Sequence, residues 1–129
     1  MTFVLLITAP HTHSNAWHAY YFAETALRQG HSLHLFFYSD GVRVANRLNY
    51  YPQGEQNLAE CWQTLKQQYA LSLSVCITAS LKHGLSDVDN SHRHHLLGDN
   101  LHPAFELVGL GTLTDVMLQS DRLISFIGA

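Results

Sequence analysis

Short apolar runs and helical stripes alternate along the chain. Residues 3–8 form a continuous apolar run that is typical of an interior strand of a parallel sheet, and residues 32–38 form a second strand-like run. Between them, the spacing of small and apolar side chains predicts a helix over residues 16–29, with Ser14 or Asn15 as its cap. The first third of the chain therefore predicts a strand, a helix and a second strand.

The same alternation continues after the second strand. A short helical piece is predicted at residues 42–48, and apolar residues spaced at i, i+3, i+4 and i+7 predict a long helix over residues 56–69. A third strand, residues 71–75, then leads into a short helix over residues 77–83 that ends at Gly84.

The C-terminal part completes the pattern. It predicts a polar loop with one helical turn at most, a short strand or extended segment, a last helix and a last strand, at residues 86–100, 105–110, 112–119 and 122–126. Strands that alternate with helices pair in parallel through right-handed crossovers. We therefore expect an α/β fold in which residues 1–129 form a single-domain three-layer sandwich, with a mostly parallel central sheet of about five strands flanked by helices.

Composition narrows the class of protein. The chain has 129 residues, 47% of them hydrophobic, which suits one well-packed core. Its first residues lack the charges of a signal peptide and no apolar run is long enough to cross a bilayer, so we expect a cytoplasmic protein without a membrane segment. A net charge of −3 with seven Lys and Arg argues against direct binding of nucleic acid.

Cys76 lies where the third strand is predicted to end and a helix to begin. In an open α/β sheet, ligands and chemistry gather at the carboxyl ends of the strands. A thiol at this position faces the first backbone N–H groups of the helix, which favour the thiolate. The alternative is a packing role, as for most free cysteines. Cys61 belongs to the apolar stripe of the long helix, so we expect it to be structural.

Other chemistries lack their sequence signals. Ala9-Pro10-His11 follows the first strand where a dinucleotide site would need glycines, and we expect no cofactor. The chain has ten histidines, but their spacing matches no zinc pattern, and we expect no metal site. A cysteine hydrolase would need a histidine base such as His83 within reach of Cys76, which the pattern does not indicate. Sulfur transfer needs only an accessible thiol and docking surfaces.

Four segments of the chain resemble the DsrE-like sulfur-relay family, and most closely its TusD (DsrE) subunit. They are residues 3–10, residues 36–46 with Phe36-Phe37-Tyr38 and Asp40-Gly41-Val42, residues 75–84 with Val75-Cys76, and residues 107–126 with Gly109-Leu110-Gly111. The resemblance runs in order over nearly the whole chain. One departure is His83, because a second basic residue, often arginine, is expected beside Lys82.

The resemblance implies a sulfurtransferase in which Cys76 carries a persulfide. The N–H groups of Thr78 and Ala79, at the start of the predicted helix, should favour its thiolate. Lys82 and His83 should add positive potential, in a pH-dependent way for the histidine.

The resemblance also implies partners. They are TusB-like and TusC-like subunits in a hetero-hexamer arranged as a dimer of trimers, a TusA-like donor and a TusE-like (DsrC-like) acceptor. The sulfur would then end in 2-thiouridine at the wobble position of tRNA. The alternatives are a subunit of a sulfur-oxidation (Dsr) relay and a non-catalytic scaffold subunit of the same family.

Overall fold

The computed structural model describes residues 1–128 of the chain. Its strands are β1 (Thr2–Ile7), β2 (Ser32–Phe37), β3 (Leu73–Cys76), β4 (Glu106–Val108) and β5 (Arg122–Phe126). Its α-helices are α1 (Ser14–Arg28), α2 (Leu58–Tyr69), α3 (Ile77–Lys82), α4 (Val88–Arg93) and α5 (Leu110–Leu118), and a 3-10 helix, Ser39–Ala45, follows β2. No helix within the described range has the length and apolar character needed to cross a membrane.

The strands form one parallel sheet. Its order is β4-β3-β2-β1-β5, and each neighbouring pair is parallel. Parallel neighbours need crossover connections, which the helices between the strands supply. The expected α/β fold, with a central sheet flanked by helices, is confirmed.

The strand order reverses between β1 and β5, at the position where many α/β proteins bind a ligand. Here the chain itself fills that position. The amides of Thr8 and Ala9 donate to the carbonyl of Phe126 at 3.0 and 3.2 Å. Gly128 lies so close to Pro10 that an added Cβ would stand 2.7 Å from the Pro10 Cδ. The ends of β1 and β5 therefore leave no crevice among the residues that the structure describes.

Helices α1 and α2 cover one face of the sheet. Trp62 of α2 is fully buried, and its ring packs edge-on against Phe37 of β2, with centroids 5.6 Å apart. Ala19 and Ala23 of α1 are also fully buried, and these small side chains let the helix lie close to the strands. This face holds the main hydrophobic core, as the apolar stripes predicted.

Helix α5 lies on the opposite face. The register places Cys76 beside Val108, and Ser74 beside both Glu106 and Phe36, so these five side chains share that face. No side chain of α5 is fully buried, and its exposed apolar residues are Leu110, Met117 and Leu118. A groove of about 740 Å³ runs between α5 and strands β2 to β4. The cover on this face is thin.

The start of α1 differs from the prediction. The helix begins at Ser14, and its cap is His13, whose Nδ1 accepts a hydrogen bond from the Asn15 amide at 3.0 Å. The assignment of the cap to Ser14 or Asn15 is therefore wrong. A histidine nitrogen can accept in the same way as the hydroxyl or carboxylate oxygens that usually cap helices, but it is not among the usual caps.

Two connecting segments differ from the prediction. The piece after β2 begins at Ser39 instead of residue 42, and Gly41 within it packs directly against the carbonyl of Ile7. The polar segment 86–100 contains α4, whose cap Asp87 accepts from the Asn90 amide at 2.9 Å. Both differences arise from short-range capping and close packing that hydrophobic periodicity does not record.

Candidate active site at the end of strand β3

Cys76 is the last residue of β3 and immediately precedes α3. Its backbone is extended (φ −63°, ψ 123°), and its side chain makes no capping hydrogen bond to the helix. The strand therefore ends and the helix begins at this residue, as the sequence predicted. Because Cys76 is in register with Val108 at the end of β4, its sulfur lies at the carboxyl edge of the sheet, on the α5 face.

A small cavity of about 230 Å³ adjoins Cys76. The residue itself is only 1% exposed, so the expectation of an accessible thiol is wrong for this conformation of the chain. Cys76 is buried because β4 pairs with β3 on one side and because the start of α5 covers the face of the sheet on which the Cys76 side chain lies. The cavity is lined by Tyr38, Ser39, Cys76, Thr78, Ala79, Lys82, His83 and Leu110.

All four residues that the sequence analysis placed around the cysteine line this cavity. Thr78 and Ala79 belong to the first turn of α3, whereas Lys82 ends the helix and His83 follows it. A helical rise of about 1.5 Å per residue places His83 about 10 Å along the helix from Cys76. Among the described residues no hydrogen bond joins Cys76 to Lys82 or His83, so these side chains act on the sulfur through their electrostatic potential.

Asp40 is a member of the site that the sequence analysis missed. Its Oδ1 lies 3.3 Å from Nε2 of His83, and the two form an ion pair when the imidazole is protonated. Because the carboxylate is 56% exposed, this pair adds little to stability. Its effect is local, since it orients the ring and offsets part of the positive charge that His83 presents. Lys82 forms no ion pair with any residue between positions 1 and 128.

Cys61 lies in a different environment. It is half-buried on α2, and burial raises the pKa of its thiol, with further increases from the carboxylates of Glu24 and Glu60. Burial, followed by Glu24, also raises the pKa of the neighbouring Tyr20 to about 12. Cys61 therefore stays protonated at neutral pH, which agrees with the structural role predicted for it.

Several of the histidines have polar partners within the protein. His102 is buried, its Nδ1 accepts from the Ala104 amide at 3.1 Å, and its Nε2 lies 3.3 Å from the Glu60 carboxylate. Burial, followed by the charge of Arg43, lowers the pKa of His11. Across the described residues, no three His, Cys, Asp or Glu side chains converge in a way that could hold a metal ion. Three further histidines are exposed near the end of α4: His92, His94 and His95.

Known proteins show the same organisation. Residues 1–126 match the DsrE/DsrF-like family. The chain is 38% identical over 128 residues to the DsrE protein of Allochromatium vinosum, with 98% of each chain covered. It is also 38% identical over 128 residues to sulfurtransferase TusD of Proteus mirabilis, again with 98% of each chain covered. The crystal structure of the ychN protein from E. coli has the same fold, with a TM-score of 0.77, 20% identity and 97% of each chain covered.

The fold and the site place the chain in the class of parallel α/β proteins that have a cysteine at the carboxyl end of an interior strand. The chain belongs to the DsrE/DsrF-like family, and it is a sulfurtransferase of the DsrE/TusD type. The family resemblance drawn from the sequence is confirmed.

Proposed function

We propose that Cys76 carries sulfur as a persulfide and passes it from one partner protein to another. The observation that carries this proposal is the placement of Cys76 at the end of β3, beside a cavity that Lys82 and His83 also line. Cys61 lies near carboxylates and its thiol has a raised pKa, and a protonated thiol is a poor nucleophile. Cys76 is therefore the better candidate of the two cysteines for sulfur transfer.

Each transfer exchanges a thiolate against a persulfide. In loading, the Cys76 thiolate attacks the outer sulfur of the donor's persulfide and forms a new S–S bond. The donor's own S–S bond breaks, and the donor leaves as a thiolate with the electron pair. In delivery, an acceptor thiolate attacks the outer sulfur of the Cys76 persulfide, and the sulfur of Cys76 leaves as the thiolate. The outer sulfur keeps its proton, so both steps balance without an oxidant or a reductant.

In this proposal the surrounding groups supply positive potential to the anionic species that take part in both steps. The amides of Thr78 and Ala79 lie in the first turn of α3, where backbone N–H groups without helical partners stabilise negative charge. Lys82 supplies a positive charge at the cavity, and His83 supplies another when it is protonated, partly offset by Asp40. In this proposal these residues act through electrostatic potential, and the covalent bonds form on Cys76.

We propose that residues 1–129 act as one domain within a cytoplasmic relay complex. TusB-like and TusC-like subunits complete a hetero-hexamer built as a dimer of trimers, a TusA-like protein loads Cys76, and a TusE-like (DsrC-like) protein receives the sulfur. Full-length relatives named TusD and DsrE support this assignment.

The destination that we propose for the sulfur is 2-thiouridine at the wobble position of tRNA, with a sulfur-oxidation relay as the alternative. With a net charge of −3, the chain is expected to reach tRNA only through its partners. An experiment in cells separates these two pathways. The gene is replaced by a version that carries Cys76→Ser, and 2-thiouridine is measured in cellular tRNA. Loss of the modified base supports the tRNA pathway, whereas unchanged 2-thiouridine with impaired sulfur oxidation supports the alternative.

Intact-protein mass spectrometry after incubation with a sulfane-sulfur donor tests the persulfide itself. We expect a gain of one sulfur atom on the wild type and on Cys61→Ser, and no gain on Cys76→Ser. Cys61→Ser is the matched control, because it removes the other thiol of the chain. A gain confined to Cys61 would contradict the proposal. No gain on any form, with a natural donor present, would assign the chain to the non-catalytic scaffold subunits.

No observation favours a cysteine hydrolase. That reaction needs a histidine within hydrogen-bonding reach of the sulfur. His83 lines the same cavity as Cys76, but its Nε2 lies 3.3 Å from the Asp40 carboxylate, and no hydrogen bond joins it to the sulfur within residues 1–128.

A further inference from the structure

The first turn of α5 forms one wall of the Cys76 cavity. Leu110, the first residue of the helix, lines the cavity together with Tyr38, which follows β2. Cys76 is almost fully buried beside them, although two sulfurs that form a bond must approach to about 2 Å. Access to the thiol is therefore decided by these walls.

The free space beside the sulfur is small. Its volume of about 230 Å³ lies below the range of about 300–1,000 Å³ that is usual for small-molecule sites. One thiol-bearing side chain or a small molecule fits in such a space, whereas the flat surface of a folded protein does not. A larger group reaches the sulfur only when one of the walls moves.

Among the walls of the cavity, helix α5 makes the fewest packing contacts with the rest of the protein. None of its side chains is fully buried, and Gly109 precedes it without a side-chain capping bond. A Cβ at Gly109 or Gly111 would meet nothing within 4 Å, so this turn stands in open space. Displacing a segment with so few packed contacts costs little free energy. Tyr38, in contrast, leads into a 3-10 helix whose Val42 and Ala45 are fully buried.

We infer that Leu110 determines which sulfur donors and acceptors reach Cys76, by setting the size of the group that enters without displacing α5. This inference rests on the proposed function and deepens it, because it specifies how partners present their sulfur. A thiol or persulfide on a slender group reacts directly. A thiol that is flush with a broad surface reacts only after the first turn of α5 has moved.

Two methanethiosulfonates that share one reactive group test this inference. Each transfers its thio group to the Cys76 thiolate and releases methanesulfinate, but the methyl reagent is small and the benzyl reagent is bulky. Rates are followed by intact mass on the full chain carrying Cys61→Ser. We expect Leu110→Ala to raise the benzyl rate relative to the methyl rate by about tenfold, the usual scale for a change of one or more methylene groups in a pocket. Leu110→Phe should move the ratio in the opposite direction.

Leu118→Ala is the matched control. It removes the same side chain from the same helix, at a position that is 82% exposed and does not line the cavity. Equal changes in the methyl and benzyl rates of Leu110→Ala would overturn the inference. The inference would also be overturned if the ratio of the benzyl rate to the methyl rate changed as much in Leu118→Ala as in Leu110→Ala.

Cysteine hydropersulfide and glutathione hydropersulfide extend the test to sulfur itself, as a small and a larger donor. If the methanethiosulfonate ratio responds to Leu110 while neither hydropersulfide adds sulfur, the role of Leu110 stands and the proposed function fails. If both hydropersulfides load Cys76 at rates that do not depend on Leu110, the proposed function stands and the inference fails.

Discussion

The two faces of the sheet are covered to very different extents. On the α1–α2 face, Trp62 and Phe37 are fully buried in the main core. On the α5 face, the strands present polar side chains such as Ser74 and Glu106, and the covering helix buries none of its own side chains completely. The two cysteines are divided between these layers, since Cys61 lies on α2 and Cys76 faces α5.

This difference separates stability from chemistry. The closed face removes most of the apolar area from water and so supplies most of the favourable free energy of folding. The thinly covered face leaves a helix with few packed contacts beside Cys76. Cys76 has a firmly held backbone and a side chain in a thinly packed layer. Its backbone belongs to β3, which lies between β2 and β4, and its side chain faces α5.

The largest expected effect comes from truncating a side chain on the closed face. Trp62→Ala should destabilise the protein by about 3–5 kcal/mol, since it removes a fully buried ring that contacts Phe37 and Tyr20. Val116→Ala, at a half-buried position on α5, should cost about 1 kcal/mol or less. Urea denaturation followed by circular dichroism measures both values. Similar losses for the two variants would break the distinction between the faces.

Two glycines sharpen the same comparison with effects of opposite sign. Gly41→Ala would place a Cβ 2.8 Å from the carbonyl carbon of Ile7, and this backbone contact should cost about 2 kcal/mol. Gly111→Ala, in the open first turn of α5, should stabilise the protein by up to about 1 kcal/mol because alanine favours the helix. Thermal unfolding of the two variants gives the signs. A stabilising Gly41→Ala would show that the segment before α2 is not tightly packed.

The smallest expected effect is on the titration of Cys61. A raised pKa means that the thiolate forms only at higher pH, so alkylation of Cys61 in the Cys76→Ser variant should have its midpoint above the ordinary thiol range. Glu24→Gln removes one carboxylate and should lower that midpoint, but not fully, because burial is the larger cause. Glu106→Gln, on the opposite face, should leave it unchanged. An unchanged midpoint in Glu24→Gln would refute this account of the Cys61 environment.

Much of the fold and part of the site could be predicted from local patterns. The apolar runs and helical stripes indicated the alternating strands and helices, because these signals depend on residues a few positions apart. Thr78, Ala79, Lys82 and His83 could be placed near Cys76 for the same reason, since one short helix carries them all. The cap of α1 was missed because His13 is an unusual residue in that position.

The sequence by itself determined the class of fold and the strand-to-helix junction at Cys76. Only the tertiary structure decided that Cys76 is buried, that Asp40 pairs with His83, and that Leu110 lines the cavity. The physical reason is that these contacts join segments far apart in the chain. Their meeting depends on strand order and register, which arise from packing between elements and not from the pattern within any one of them.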